Sequence, residues 1–321
     1  MASANSTFTE IASTTFRKHK KGFKDNVSER CALLKKINSK GNKRTEDGGL
    51  SIVEPLDYAQ NSTYQRFSGY DLLNVQASDV LSAAEFNWKQ IAIHITASGL
   101  ELRQNSGTSQ IEKLVAARIK NAVRTFKNNF SSDLYSAGSL TNQIGGLQQI
   151  VADTNTNTVG GIDANTWSFW RNNVFDLSDN AVTLSASTIE NSMLLPMWLT
   201  VDRGEGDCPD LIMMDPVHYA FFVASQTSLK RYASADELKA GAVSLKYMTA
   251  DVMFDTTASG IPASHTYMLN TNYIKLVVHE DADMDEMDQK SPVNQDAEVI
   301  PILWMGNLTI SNRDMQSVAK A

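Results

Sequence analysis

Two strand-forming runs joined by a long bend, between Gly48 and Asn105, constrain this chain more than any other segment. Leu50 to Leu56 leads out. Asp79 to Ile95 leads back, with Ile91, Ile93 and Ile95 alternating against Ala92, His94 and Thr96, the period of a half-buried strand. The bend carries Tyr58, Tyr64, Arg66, Phe67 and Tyr70. A two-stranded hairpin alone in water is at best marginally stable, so this one is predicted to pack on another surface. The competing reading, an ordinary sheet within one domain, stays open from the residues alone.

Positive charge is segregated. The first 45 residues hold eleven lysines and arginines against three acids, a net of +8, while the whole 321-residue chain carries −7 and the remainder therefore −15. Arg17, Lys18, Lys20, Lys21 and Lys24 crowd the start of this arm, and Phe16, Phe23, Val27, Cys31 and Leu34 recur between its cations at helical spacing before Ser39-Lys40-Gly41-Asn42 ends it. A basic arm on an acidic body fits a polyanion on one side, or simply a solvated tail.

Ser109-Gln110-Ile111-Glu112 matches a capping box and opens the strongest helical pattern, running to about Tyr135. Ile111, Leu114, Val115, Ile119, Ala122, Val123, Phe126 and Phe130 share one face, and Lys113, Lys120, Arg124 and Lys127 fall within a stripe of about 60° opposite. The stripe reads either as a soluble surface or as a face turned to phosphate or to an acidic neighbour. Beyond Gly138 the pattern is mixed α/β: a Thr/Asn/Gly-rich loop at 153–166, an aromatic cluster at Trp167, Phe169 and Trp170, a helix from Thr188 to Leu199, and a strand Leu211–Met214 followed by a helix Val217–Ala224. Strands are expected at Asp251–Phe254, Thr266–Leu269, Tyr273–His279 and Glu298–Ser311, and no solenoid repeat is present.

With 42% hydrophobic residues the chain can bury a sizeable core, read as two lobes plus extensions. Its longest apolar runs fall far short of the roughly 20 residues of a spanning helix, and Met1 to Thr7 has no apolar signal core, so a cytosolic setting is expected. Cys31 and Cys208 have neither metal spacing nor a partner motif. There is no Gly-Lys dipeptide for a phosphate loop, no G-x-S-x-G and no H-E-x-x-H, and the five histidines are scattered. Asp281, Asp283 and Asp285 begin like a calcium loop, but Glu286 stands at the turn glycine and Pro292 at the bidentate glutamate, so the run is read as a solvated loop. No metal or other cofactor is expected. Asp215, His218 and this acidic run are the only candidate polar cluster for an α/β enzyme.

The order of parts resembles the major capsid proteins of tailed bacteriophages, the Hong Kong 97-type α+β fold. The resemblance rests on Ser68-Gly69-Tyr70-Asp71, Ser82-Ala83-Ala84-Glu85-Phe86-Asn87-Trp88-Lys89-Gln90, Arg118-Ile119-Lys120-Asn121-Ala122, Gly160-Gly161-Ile162-Asp163, Phe169-Trp170-Arg171-Asn172, Asn294-Gln295-Asp296-Ala297 and Gly306-Asn307-Leu308-Thr309-Ile310-Ser311-Asn312-Arg313. Each is weak alone, and together they span nearly the whole chain.

That resemblance implies a basic N-terminal arm at 1–47, an extended hairpin loop at 48–105 lying over a neighbouring subunit, a peripheral domain at 106–140 and 273–321 with the long helix as its spine, and an axial domain at 141–272. It implies a head protein without catalysis that assembles as pentamers and hexamers, in the host cytoplasm, into a virion shell around double-stranded DNA. Scaffolding, portal and decoration proteins are the further partners it implies, and no membrane is involved. Arg17, Lys18, Lys20, Lys21, Lys24, Lys113, Lys120, Arg124 and Lys127 would face the interior, and Tyr58, Tyr64, Arg66, Phe67 and Tyr70 the adjoining subunit. An encapsulin-like nanocompartment is the same-fold alternative.

Overall fold

A computed structural model describes residues 32–76, 78–104, 108–204, 206–226, 245–256, 259–287, 290 and 294–320. Helix α1 (Ala32–Ser39) turns Leu33, Leu34 and Ile37 inward and leads to β1 (Lys43–Glu46). Strands β2 (Ile52–Asp57) and β3 (Leu81–Phe86) form the hairpin, followed by β4 (Lys89–Ser98), the short α2 (Gly99–Gln104) and the 27-residue α3 (Thr108–Leu134). At 1.5 Å per residue α3 is about 40 Å long. Next come α4 (Leu147–Ile150), the minimal hairpin β5 (Thr158–Val159) and β6 (Ile162–Asp163), and β7 (Asn173–Asp176). A π-helical turn at Ile189–Leu194 runs into α5 (Leu195–Val201), then β8 (Leu211–Met214) and α6 (Pro216–Ser225). Strands β9 (Leu245–Tyr247), β10 (Ala250–Phe254), β11 (His265–Leu269), β12 (Ile274–Glu286), β13 (Ala297–Ile310) and β14 (Ser317–Lys320) complete the order.

These strands build two main sheets. One has the order β1-β12-β13-β4, with β1 parallel to β12 and the other pairs antiparallel. Helix α3 covers it with Ile119, Ala122, Phe126 and Phe130, and Phe130 meets Trp304 of β13 edge to face at 5.0 Å. The other sheet runs β7-β14-β11-β8-β10-β9. Strand periodicity divides its side chains cleanly. Leu211, Met213, Tyr267, Leu269 and Val318 face the core shared with the first sheet, while Ile212, Met214, Val252, Met268 and Ala319 face a second core closed by the π turn, α5 and α6. Strand β8, buried at all four positions, therefore reads in sequence as the uninterrupted run Leu-Ile-Met-Met.

Several sequence expectations change here. The return run from Asp79 to Ile95 is two strands broken at Asn87-Trp88: β3 pairs with β2, whereas β4 joins β13 in the body, placing Ser98 opposite Ala297. The acidic run at 281–286 is not a loop. It continues β12 past a bulge after Val278, because Trp304, Leu303 and Ile302 of the longer β13 offer it partners at Asp283, Asp285 and Glu286. The expected helix from Thr188 begins instead as the π turn before α5. Residues 317–320 leave the first sheet altogether, and β14 inserts between β7 and β11 with Val318 and Ala319 fully buried. The arm residues before Ala32, including Phe16, Phe23, Val27 and Cys31, lie outside the described residues.

Arg313, fully buried, joins β13 to the long connection that precedes β7. It donates to the Ile150 carbonyl at 2.8 Å, the Trp170 carbonyl at 3.0 Å, Asn157 Oδ1 at 2.7 Å and Asn172 Oδ1 at 2.9 Å. Burial pushes its pKa down to about 10, which leaves the guanidinium charged at neutral pH. Arg313→Met keeps the bulk and leaves these acceptors dry and unpaired, so the unfolding free energy should fall by about 3–5 kcal/mol in urea denaturation. A loss below about 1 kcal/mol, the range of an indifferent site, would contradict this role.

Candidate assembly interface

The hairpin is built to be held at one end only. Along β2 the alternation buries Ile52, Glu54 and Leu56 and exposes Val53, Pro55 and Asp57. Pro55 has no N–H to offer a further strand, which suits an edge. From β3, Ala84 and Phe86 join the same core. The glycine pair between β5 and β6 turns with φ +59° and +76°, and a Cβ on Gly160 would lie 2.9 Å from the Ala84 Cβ. That bare backbone lets the Gly160 carbonyl accept from the Glu85 N–H at 2.9 Å. Tyr58 ends the root, stacked on Phe169 at 5.2 Å with Trp167 edge-on at 5.9 Å.

Glu54 is 1% exposed and lies on the apolar side of β2. Its carboxylate accepts from Arg44 Nη1 at 3.2 Å, Lys275 Nζ at 3.1 Å and Thr309 Oγ1 at 3.2 Å, one partner each from β1, β12 and β13. Residue spacing placed Glu54 in phase with Ile52 and Leu56, and this was the available signal for a role that sequence reasoning missed.

Beyond the root the chain is irregular and its apolar side chains face solvent. Tyr64 is 81% exposed, Leu72 95% and Val75 90%, with Phe67, Tyr70 and Leu73 also exposed. The tip is nevertheless shaped: Gln65 bridges its two sides, donating from Nε2 to the Leu72 carbonyl at 3.0 Å and accepting from the Asn74 N–H at 3.3 Å, while Asp71 accepts from the Ser68 N–H at 2.8 Å. Such a run of exposed large apolar groups marks an interaction surface. Tyr64, Arg66, Phe67 and Tyr70 lie at this tip, and Tyr58 lies at the root against its own chain. Leu72, Leu73 and Val75 belong to the tip as well, and the focus on tyrosines passed them over. A groove of about 640 Å³ runs beside the root, lined by Leu56, Tyr58, Phe169, Trp170, Arg203 and Asp314.

The basic residues divide into two populations. Lys36 pairs with Asp251 at 2.6 Å, Lys40 with Asp210 at 3.0 Å and Lys43 with Asp283 at 2.8 Å, while Arg44 pairs with Glu46 and Glu54. The described end of the arm thus neutralises the acidic body of its own subunit. Lys120 and Arg124 on α3 are exposed and make no ion pair among the described residues; Arg124 reaches only Asn121 at 3.4 Å. The side chains of Lys113 and Lys127, and all of Arg17, Lys18, Lys20, Lys21 and Lys24, lie outside the described residues.

Of the candidate enzymatic cluster, Asp215 and His218 meet, with His218 Nδ1 3.5 Å from Asp215 Oδ1. Asp215 caps α6, accepting from the His218 N–H at 2.8 Å and the Ser264 N–H at 3.0 Å, and His218 Nδ1 meets Thr266 Oγ1 at 2.9 Å. Both are buried, and the 280s run belongs to the other sheet. Among the described residues no helix is long and apolar enough to cross a membrane, and no group of three or more His, Cys, Asp or Glu could hold a metal.

No family model and no curated protein sequence matches the chain. Solved structures do. The chain is similar to the capsid protein of Cyanophage A-1(L), with 17% identity, TM-score 0.52 and coverage of 88% of this chain and 91% of that one. It is similar to that of Myoviridae Phage XM1, at 14%, 0.53, 88% and 90%. The holo-SrpI encapsulin from Synechococcus elongatus PCC 7942 follows at 8%, 0.51, 86% and 83%. The chain therefore has the α+β fold of tailed-phage capsid proteins.

His265 secures the loop under the root. Its Nδ1 faces the Ala263 carbonyl at 2.7 Å and its Nε2 the Asp153 carboxylate at 3.0 Å, two acceptors that only an imidazolium satisfies together. Burial pulls its pKa down, but Asp153 and the Ala263 carbonyl outweigh this and hold it above the usual value. A histidine raised on folding contributes stability in full below its unfolded pKa and loses it as pH rises through the folded value. The difference in melting temperature between wild type and His265→Gln should therefore be largest in mild acid and shrink as pH rises. A difference that is flat across that interval would refute the pairing.

Proposed function

We propose that this chain is the major capsid protein of a tailed bacteriophage, closing as pentamers and hexamers into a shell around double-stranded DNA. The observation that carries the reading is the hairpin tip: a shaped, solvent-facing set of large apolar side chains on a fold found in assembled capsids. A lone subunit gains nothing from that surface, whereas a neighbour that covers it turns the exposed area into interface. Interfaces of obligate assemblies commonly bury more than about 2,000 Å². In this reading residues 48–88 act as the extended loop over an adjoining subunit. Helix α3 with the four-stranded sheet forms the peripheral part, and the six-stranded sheet forms the axial part around the symmetry axes.

Lys120 and Arg124, which form no ion pair among the described residues, supply non-specific attraction for packaged phosphate with Lys113 and Lys127 of the same helical stripe. An encapsulin would enclose protein cargo on the same fold, and the exposed Lys120 and Arg124 favour nucleic acid. Imaging by negative stain separates both from a small oligomeric enzyme, since a shell protein yields megadalton particles or capsomer rings.

Deleting Asn61 to Tyr70 should leave a soluble subunit, because the root and its core remain, that forms no closed shells in size-exclusion chromatography. Normal particles from this variant would remove the assigned role of the tip. For the stripe, the apparent DNA affinity of the unassembled subunit should fall with salt, each neutralised phosphate contributing a log–log slope of about −0.9. Lys120→Gln with Arg124→Gln should make that slope shallower by up to about 1.8, two contacts' worth. An unchanged slope would show that the stripe faces something other than DNA.

A further inference from the structure

At the hairpin root three rings touch one another: Tyr58 stacks on Phe169, and Trp167 stands edge-on to Tyr58 at 5.9 Å and to Phe169 at 6.1 Å. They wall a recess of about 420 Å³ that Asp79, Leu81 and Asp163 complete. Trp167 is 48% exposed, so ring surface is available from outside. The Asp163 carboxyl accepts from the Asn165 N–H and the Thr166 hydroxyl, both at 2.9 Å, and these bonds hold its pKa below the usual carboxylate range. Asp79 is exposed. The nearby Arg171 is committed to the Ala164 and Asn165 carbonyls at 2.8 and 3.0 Å.

Aromatic faces flanked by two carboxylates select a cation. A planar guanidinium suits them better than an ammonium, since it stacks on a ring while its edge donates to the acids. Only one cation occurs anywhere from residue 47 to residue 88, and it is Arg66. It is exposed at the tip between Gln65 and Phe67 and forms no ion pair among the described residues.

We infer that the recess of Tyr58, Trp167, Phe169, Asp79 and Asp163 receives the Arg66 guanidinium of a second copy of this chain. The inference rests on the shell reading above and specifies which surface the tip meets. A tip-to-root contact is heterologous, so each copy gives one hairpin and receives another, and a rotation that closes makes a ring.

The test uses the full chain, with shell formation followed by light scattering against protein concentration. Arg66→Glu, with unchanged circular dichroism, should raise the concentration needed for particles on the order of tenfold, the scale of one lost cation–π and carboxylate contact. Arg66→Lys should lose less, and Arg66→Glu with Asp79→Lys should recover part of the loss. Arg66→Cys combined with Asp79→Cys, oxidised after assembly, should give a ladder of covalently linked subunits beyond that of either single variant. Normal assembly by Arg66→Glu together with no added ladder overturns the pairing and leaves the shell reading standing. Cross-linking of Asp79→Cys alone through the native Cys31 assigns the recess to the arm and also overturns it. Wild-type protein that stays monomeric at every concentration removes the shell reading and the pairing together.

Discussion

The carboxylate of Glu54 is the point at which the hairpin and the four-stranded sheet become one body. Two strands that pair only with each other have no interior, and their direction must be imposed from the base. Ile52, Leu56, Ala84 and Phe86 supply apolar contact, which has no preferred direction. Glu54 adds partners at fixed positions on three strands of the neighbouring sheet. Burying a carboxylate costs several kcal/mol unless it is paired. Two cations and a hydroxyl meet that condition in one register, and a slip of one residue would turn Glu54 outward. The same foot fixes Tyr58, and through it the recess with Trp167 and Phe169.

Charge follows a comparable division of labour. The arm's strong positive balance looked like one feature in the sequence, yet its described end is spent on Asp210, Asp251, Asp283 and Glu54 of the same subunit. Helix α1 is thereby bound to the six-stranded sheet, and β1 to the four-stranded one. Lys120 and Arg124 of α3 are different, since they form no ion pair among the described residues. Exposed charges without partners are the ones free to act at a distance.

Much of the architecture was legible because it follows from period. Ile119, Ala122, Phe126 and Phe130 of the α3 face came from helical spacing and the strand at 211–214 from its unbroken apolar run, and these, with the strands read at 251–254 and 266–269, agree with the structure within a few residues. The failures have a common cause, which is that pairing is non-local. Nothing within Asp79–Ile95 announces that its second half leaves β2 for β13. Acidic composition hid a strand at 281–286 because the partner that stabilises it lies some twenty residues later in the chain. Of the exposed hairpin tip, the tyrosines were visible. Glu54, Leu72, Leu73 and Val75 were not, since their meaning depends on which side of the hairpin is covered. The buried Asp215 looked like chemistry and caps α6, while the His218 ring is held by Thr266 beside it.

Strand order carries a consequence for how the subunit is made. In the six-stranded sheet β14 stands between β7 and β11, and in the other sheet β13 stands between β12 and β4. A ribosome delivers β7 and β11 well before the strand that must lie between them, so neither sheet can close during most of translation. The hairpin's foundation in the four-stranded sheet is therefore complete only once β13 has been made. The six-stranded sheet closes later still, because a strand at 317–320 is the one that locks β7 to β11.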